Sequence, residues 1–163
     1  MTDAKTKAIP TSSMDPDATS GVAQFLGPVV VNLQALAIDG KQAHWHVRGP
    51  NFVAVHELLD TVVEHAQASA DLAAERVVAL GLPLDVRIQT VAQKTTTPKL
   101  TAGFQQADQA IAEVIAGIDA TLEVVRTAIE ELEELDPVSQ DVAIEIAATL
   151  EKDRWFLFAH VAN

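Results

Sequence analysis

Four of the five histidines lie in one stretch, His44 to Glu75, which reads HWHVRGPNFVAVHELLDTVVEHAQASADLAAE. The same stretch contains three carboxylates of interest, at Asp60, Asp71 and Glu75. Imidazole and carboxylate groups together suit iron, zinc or manganese, and an open, oxygen-rich site suits iron that changes its oxidation state. The stretch is therefore predicted to bind a metal ion.

Gly49 and Pro50 divide this stretch between two predicted helices. Proline lacks a backbone donor and restricts the residue before it, so the first helix should end here. Asn51 can act as the N-cap of the second helix, whose apolar residues recur at helical spacing up to a stop at Leu80-Gly81. Since each residue advances about 100° around the axis, four potential ligands share one side of this helix: His56, Asp60, Asp71 and Glu75.

These four residues cannot bind one ion within one chain. His56 and Asp71 are about 22 Å apart along the helix at a rise of about 1.5 Å per residue, whereas a ligand atom lies within about 2.5 Å of its metal. His44, at the end of the preceding helix, can approach only the His56 end. A two-fold dimer with antiparallel helices would bring His44 and His56 of one chain to Asp71 and Glu75 of the other, which gives two equivalent sites.

The run KQAHWHVRGPNF, followed by VHELLD and by the D-x-x-x-E pair of Asp71 and Glu75, resembles the DNA-binding protein from starved cells (Dps) family of ferritin-like proteins. The resemblance is strongest across 41–81 and extends, in helix layout, over about 21–160. It implies an all-α protein, a ferritin-like four-helix bundle with one long crossover. It also implies a hollow homododecamer with ferroxidase sites between two-fold-related subunits.

The resemblance implies roles for individual residues. His44 and His56 match the family's histidine ligands, and its carboxylate ligands match Asp60, Asp71 and Glu75. Trp45 matches the neighbouring tryptophan, which would protect against radicals or carry an electron, although large aromatic residues on helices are usually packing. His46 stands where asparagine is common in the family, and it points away from His44.

The implied function is iron oxidation and storage, which protects the cell from oxidative damage. At most two Fe(II) ions per site would be oxidised by hydrogen peroxide or, more slowly, by dioxygen. Ordinary ferritins place Glu-x-x-His motifs inside each bundle, and this sequence contains no Glu-x-x-His. Two alternatives remain open, namely metal-dependent hydrolysis of an amide or ester at the same residues and compaction of DNA.

Composition restricts the class of protein. A chain of 163 residues that is 48% apolar suits one domain with a real core. The absence of cysteine excludes a disulfide framework and a thiolate metal site. No apolar signal-peptide core is present, and polar residues interrupt the most apolar run at Gln24, Asn32 and Gln34. We therefore expect a soluble, cytoplasmic protein without a membrane span.

The formal net charge of −12 argues against binding to DNA. Residues 1–20 are predicted to form a mobile tail in which Lys5 and Lys7 are outnumbered by aspartates, so we expect no tail-driven DNA binding. Residues 101–163 hold 13 acids and three Lys or Arg. In the Dps family, acids near the last helix junction line pores. The candidates for iron uptake are therefore Asp136, Asp141 and Glu145. The alternative is an ordinary solvated helix end.

Apolar periodicity predicts four long helices, at 21–48, 52–80, 101–134 and 137–158. Pro28 either marks the start of the first helix near Gly27 or kinks it. Residues 81–100 would form the crossover, in which VRIQTVAQ could be a short helix. Asp136 and Pro137 suit the N-cap and first position of the last helix.

Two histidines, His65 and His160, have no partners at helical spacing and are interpreted as structural. The aromatic residues at the end of the last helix are interpreted as packing: Trp155, Phe156 and Phe158.

Overall fold

A computed structural model describes residues 11–162. Its four long helices are α1 (Pro16–His46), α2 (Phe52–Ala79), α4 (Ala107–Leu132) and α5 (Pro137–Ala159), and the crossover between α2 and α4 contains a short helix, α3 (Ile88–Lys94). Two short strands, β1 (Val47–Arg48) and β2 (Gln105–Gln106), pair in parallel with Val47 opposite Gln105. The predicted all-α four-helix bundle with one long crossover is confirmed.

The core lies between the four long helices. α1 packs against α2 and α4, and α5 packs against α4 and α2. α1 and α2 approach closely at Gly40, where a Cβ atom would lie 2.9 Å from Val63 Cγ2. The largest fully buried side chains are aliphatic and recur at helical spacing, as predicted: Leu26, Leu33, Leu59, Ile111, Ile118, Leu122, Leu132, Ile146, Leu150 and Leu157.

α1 begins earlier than the sequence predicted. The side chain of Asp15 accepts a hydrogen bond from Asp17 N at 2.9 Å, and Pro16 occupies the first turn, where its missing donor costs nothing. Residues 16–20, assigned to a tail, are therefore helical, whereas residues 1–10 of that predicted tail lie outside the described residues. The helix continues through Pro28, so the alternative start near Gly27 is wrong.

α1 is long and apolar enough to cross a membrane by length and composition, which corrects the expectation that polar residues interrupt it. In the structure its apolar face is buried against the other helices. Asn32 is 1% exposed and ties α1 to the crossover, since its amide donates to Thr96 Oγ1 at 2.7 Å and accepts from Thr96 N at 3.0 Å. Packing inside the bundle therefore accounts for the hydropathy of this helix.

The crossover and the start of α4 differ in part from the prediction. The short helix expected within VRIQTVAQ is confirmed as α3, but α4 begins at Ala107 rather than near 101. The preceding residues are not helical, because Gln105 and Gln106 pair with β1 and Gly103 has a positive φ of 92°. Phe104, predicted on the apolar face of a helix, is 67% exposed, and its ring centroid lies 3.4 Å from Arg48 Cζ.

α5 begins as predicted. Asp136 is the N-cap, because its side chain accepts from Ser139 N at 3.0 Å, and Pro137 follows in the first turn. The other end of the helix differs from the prediction. Its aromatic residues do not pack in the core of the subunit, since all three are exposed: Trp155, Phe156 and Phe158.

Candidate metal centre

The turn between α1 and α2 brings His44 and His56 together. Gly49 and Asn51 both adopt positive φ, at 104° and 61°, which reverses the chain within a few residues. Asn51 stands at the N-cap position, but the predicted side-chain cap is absent, and its main-chain carbonyl accepts from Val55 N at 3.1 Å. The last turn of α1 and the first turns of α2 therefore lie side by side.

The two imidazole rings are stacked, with centroids 3.7 Å apart and planes inclined by 22°. His44 Nδ1 lies 2.8 Å from the carbonyl oxygen of His56, and His56 Nδ1 lies 2.9 Å from the carbonyl oxygen of His44. A carbonyl oxygen only accepts, so each Nδ1 carries a proton and donates it. In the neutral ring the lone pair is then on Nε2. A main-chain carbonyl that accepts from Nδ1 thus leaves Nε2 as the atom that can bind a metal.

Asp60 lies one helical turn after His56. Its Oδ1 is 3.9 Å from His44 Nδ1 and forms a short ion pair with the ammonium of Lys41. The hydrogen bond from Lys41, with a smaller contribution from the two imidazoles, holds the pKa of Asp60 below its usual value of 3.8. Asp60 is thus an ionised carboxylate beside the histidine pair, and a metal cation would compete with Lys41 for it.

Asp71 and Glu75 lie further along α2, away from the histidine pair. Both side chains are exposed, and neither forms a hydrogen bond or ion pair with residues 11–162. Within those residues no group of three or more His, Asp or Glu is placed to hold a metal ion. One subunit therefore brings His44, His56 and Asp60 together and leaves Asp71 and Glu75 apart from them.

Trp45 follows His44 on the outer side of α1 and is 63% exposed. It lines an open groove of about 510 Å³ between α1 and α2, whose walls include Lys41, Asp60 and the exposed Ile38. The groove reaches the candidate site at Asp60, and its other walls carry both apolar and polar side chains. The tryptophan is therefore not a packing residue of the subunit's own core.

Two further histidines have hydrogen-bond partners in the structure. His65 Nδ1 lies 2.8 Å and 3.0 Å from the two carboxylate oxygens of Asp153, which is 88 residues away in sequence. His46 Nδ1 donates to Gln42 O at 2.8 Å within α1, and its ring lies 5.4 Å from that of Phe104. His65, interpreted as structural because it has no partner at helical spacing, thus pairs with a carboxylate of another helix, whereas His160 is exposed.

The three acids considered for iron uptake differ in their surroundings. Asp136 is 7% exposed, and its Oδ2 accepts hydrogen bonds from Arg76 Nη2 and Ser139 Oγ, each at 2.5 Å. Burial opposes ionisation of Asp136, but these hydrogen bonds outweigh it and hold its pKa below the usual value. Asp136 therefore joins α2 to α5, whereas Asp141 and Glu145 are exposed.

The helix arrangement is that of a ferritin-like protein, and the Ferritin-like domain family matches residues 26–163. The DNA protection during starvation protein of Agrobacterium fabrum is 34% identical over 146 residues, covering 89% of this chain and 90% of the relative. The protein of the same name from Mycolicibacterium smegmatis is 34% identical over 144 residues, covering 88% and 79%.

Solved structures agree. Dps from Microbacterium arborescens in the high iron form superposes with a TM-score of 0.90 at 55% identity, covering 93% of this chain and 99% of that one. Mycobacterium smegmatis Dps in its tetragonal form gives a TM-score of 0.88 at 32% identity, covering 97% and 96%. The chain belongs to the Dps family of ferritin-like proteins.

Proposed function

We propose that this protein oxidises and stores iron, with Fe(II) as its substrate at sites formed between two subunits. The observation that carries the proposal is the reciprocal His44–His56 arrangement. The Nδ1–H groups of both imidazoles donate to main-chain carbonyls, which leaves Nε2 of each ring to bind a metal. The ionised Asp60 lies beside them.

A second subunit would complete this site. The histidine pair lacks a full ligand set, while Asp71 and Glu75 are exposed carboxylates without partners among residues 11–162. Antiparallel packing of two copies along the α1–α2 groove would place the acids of each copy at the histidines of the other, and would cover Ile38 and Trp45. The dimers would assemble further into a hollow homododecamer in the cytoplasm.

The reaction follows from the ligand types. His44 and His56 of one subunit and Asp71 and Glu75 of the other would bind Fe(II), and the carboxylates would stabilise the higher charge of Fe(III). Two Fe(II) ions give one electron each to hydrogen peroxide, which with two protons becomes two water molecules. Asp60, once released by Lys41, would help to hold a second, weaker iron or a bridging water.

Support for iron as the substrate also comes from the relatives. The Microbacterium arborescens protein, at 55% identity, was solved in a form described as high iron. In the assembled shell, Fe(III) would collect in the cavity as a mineral, and the exposed Asp141 and Glu145 would attract iron to its path of uptake. Trp45, next to His44, would intercept radicals formed at the site. The preference for peroxide over dioxygen rests on the family resemblance.

A subunit-mixing experiment tests the shared site. One variant carries His56→Ala and keeps its acids, and a second carries Glu75→Ala and keeps its histidines. Each alone should oxidise Fe(II) poorly. Co-assembly at equal amounts should restore about a quarter of the wild-type sites, because half of the two-fold interfaces are mixed and one of their two sites is intact. No recovery on mixing, with co-assembly verified by mass spectrometry, would contradict a shared site.

A further inference from the structure

A second histidine–carboxylate pair lies outside the candidate centre. His65 of α2 donates from Nδ1 to the carboxylate of Asp153 of α5, at 2.8 Å and 3.0 Å from its two oxygens. His65 comes nine residues after His56, which corresponds to about 13 Å along the helix and about half a turn around it. The pair therefore lies on the opposite side of α2 from His56, the histidine of the candidate centre.

The burial of the two partners is unequal. The side chain of Asp153 is 4% exposed and that of His65 is 39% exposed. Burial raises the pKa of Asp153, and the hydrogen bond from His65 opposes that rise. A buried carboxylate that holds Nδ1–H fixes the ring orientation and leaves Nε2 with the lone pair in the neutral ring, which is the arrangement that supports metal-binding histidines.

The exposed side of His65 lines an open groove of about 250 Å³ between α2 and α5. Glu145, an exposed carboxylate of α5, lines the same groove. Ser69 and Thr149 add hydroxyl groups to its walls. Lys152 also borders the groove, but its ammonium lies 5.7 Å from the ring centroid of Phe156. One oriented imidazole and one carboxylate thus face the same space.

We propose that His65 Nε2 and the Glu145 carboxylate bind a divalent first-row transition ion in this groove, at a second metal site separate from the His44–His56 pair. Two protein ligands leave the remaining positions to water, which suits exchangeable binding of Fe(II), Co(II) or Zn(II). The ion would increase the positive charge of the imidazole and so strengthen its hydrogen bond to Asp153. Glu145 also belongs to the uptake path proposed above, but the site does not depend on iron oxidation at the His44–His56 pair.

The competing explanation is that His65 and Asp153 only fasten α2 to α5. Co(II) binding separates the two explanations, because a purely structural pair binds no metal. The full-length assembly should carry His44→Ala and His56→Ala, so that the first site cannot contribute. Equilibrium dialysis against Co(II), followed by metal analysis, then gives the ions bound per subunit and the dissociation constant.

About one Co(II) per subunit is expected in this background, and adding His65→Gln should abolish that binding. Asp153→Asn should weaken it about 10- to 100-fold, the usual range for loss of a group that holds a metal-binding histidine. Glu145→Gln removes one of the two protein ligands and should weaken binding at least as much. His160→Gln is the matched control, since it removes an exposed histidine elsewhere and should change nothing. Glu145→Gln alters only an exposed side chain, so it remains informative if a His65 variant folds poorly.

Three results would overturn the proposal. The first is the absence of bound Co(II) in the background protein. The second is equal binding with and without His65→Gln, with only the melting temperature reduced, which would establish the structural explanation. The third is full affinity in Glu145→Gln, which would exclude this carboxylate as a ligand.

Discussion

Replacement of Asp136 separates a structural role from a role in iron uptake. The carboxylate is the N-cap of α5 and the partner of Arg76, and both its side chain and that of Arg76 are largely buried, at 9% and 21% exposed. Asp136→Ala removes the cap, at a cost of about 1 kcal/mol, and takes from a partly buried guanidinium its carboxylate partner, at a further cost of about 1–3 kcal/mol. The total is about 2–4 kcal/mol.

A loss of this size corresponds to a fall in melting temperature of roughly 4–16 °C, at about 2–4 °C per kcal/mol for a chain of this length. Thermal unfolding should be followed by circular dichroism at a fixed protein concentration, because assembly also stabilises the subunit. Asp141→Ala is the matched control, since this nearby acid of α5 is exposed, and it should change the free energy of unfolding by less than about 0.5 kcal/mol.

The pH dependence follows from the lowered pKa of Asp136. An acid whose folded-state pKa lies below its unfolded value of 3.8 contributes stability above that value and loses the contribution as pH falls through the folded-state pKa. The difference in stability between wild type and Asp136→Ala should therefore be full at pH 6 and shrink below pH 3.8. Unchanged melting of Asp136→Ala, together with slower iron uptake, would refute the structural role and favour a pore.

Three other predictions follow from the packing and the charge. Asn32→Ala should destabilise the fold by about 2–4 kcal/mol, because it leaves donors and acceptors of the crossover unpaired, and equal denaturation midpoints would contradict this. Gly40→Ala should cost about 1–3 kcal/mol by forcing α1 from α2, whereas Gly27→Ala, whose Cβ would lie 3.8 Å from Leu84, should be neutral or stabilising in the same unfolding assay. With a net charge of −12, the assembly should give no gel shift with duplex DNA at neutral pH at low or moderate salt, and a salt-sensitive shift would count against that expectation.

Helical periodicity predicted the bundle well because each long helix has one apolar side that must be buried. The Gly49-Pro50 break, the stop at Gly81 and the Asp136 cap are local signals, and each lies at or next to the observed helix boundary. The starts of α1 and α4 were missed for different reasons. Pro16 gave a start signal that the polar composition of residues 1–20 obscured, and the short pairing of β1 with β2 depends on contacts distant in sequence.

The candidate site was predictable in its residue types and spacing but not in its chemical detail. Histidine and carboxylate spacing pointed to His44, His56 and Asp60, and the structure places these three together. The reciprocal bonds to main-chain carbonyls and the Lys41 ion pair depend on how the turn folds, so no sequence pattern shows them. The His65–Asp153 pair joins residues on two helices 88 positions apart, which no periodicity within one helix can reveal.

The most direct test of the central claim is stoichiometric iron oxidation. The purified assembly is loaded anaerobically with Fe(II), hydrogen peroxide is added, and Fe(III) formed per subunit is recorded for wild type, His56→Ala and the control His160→Ala, with assembly verified by light scattering. Rapid oxidation in wild type and His160→Ala, lost in His56→Ala, is the predicted result. Equal oxidation in all three proteins would contradict the claim and favour hydrolysis or a purely structural role.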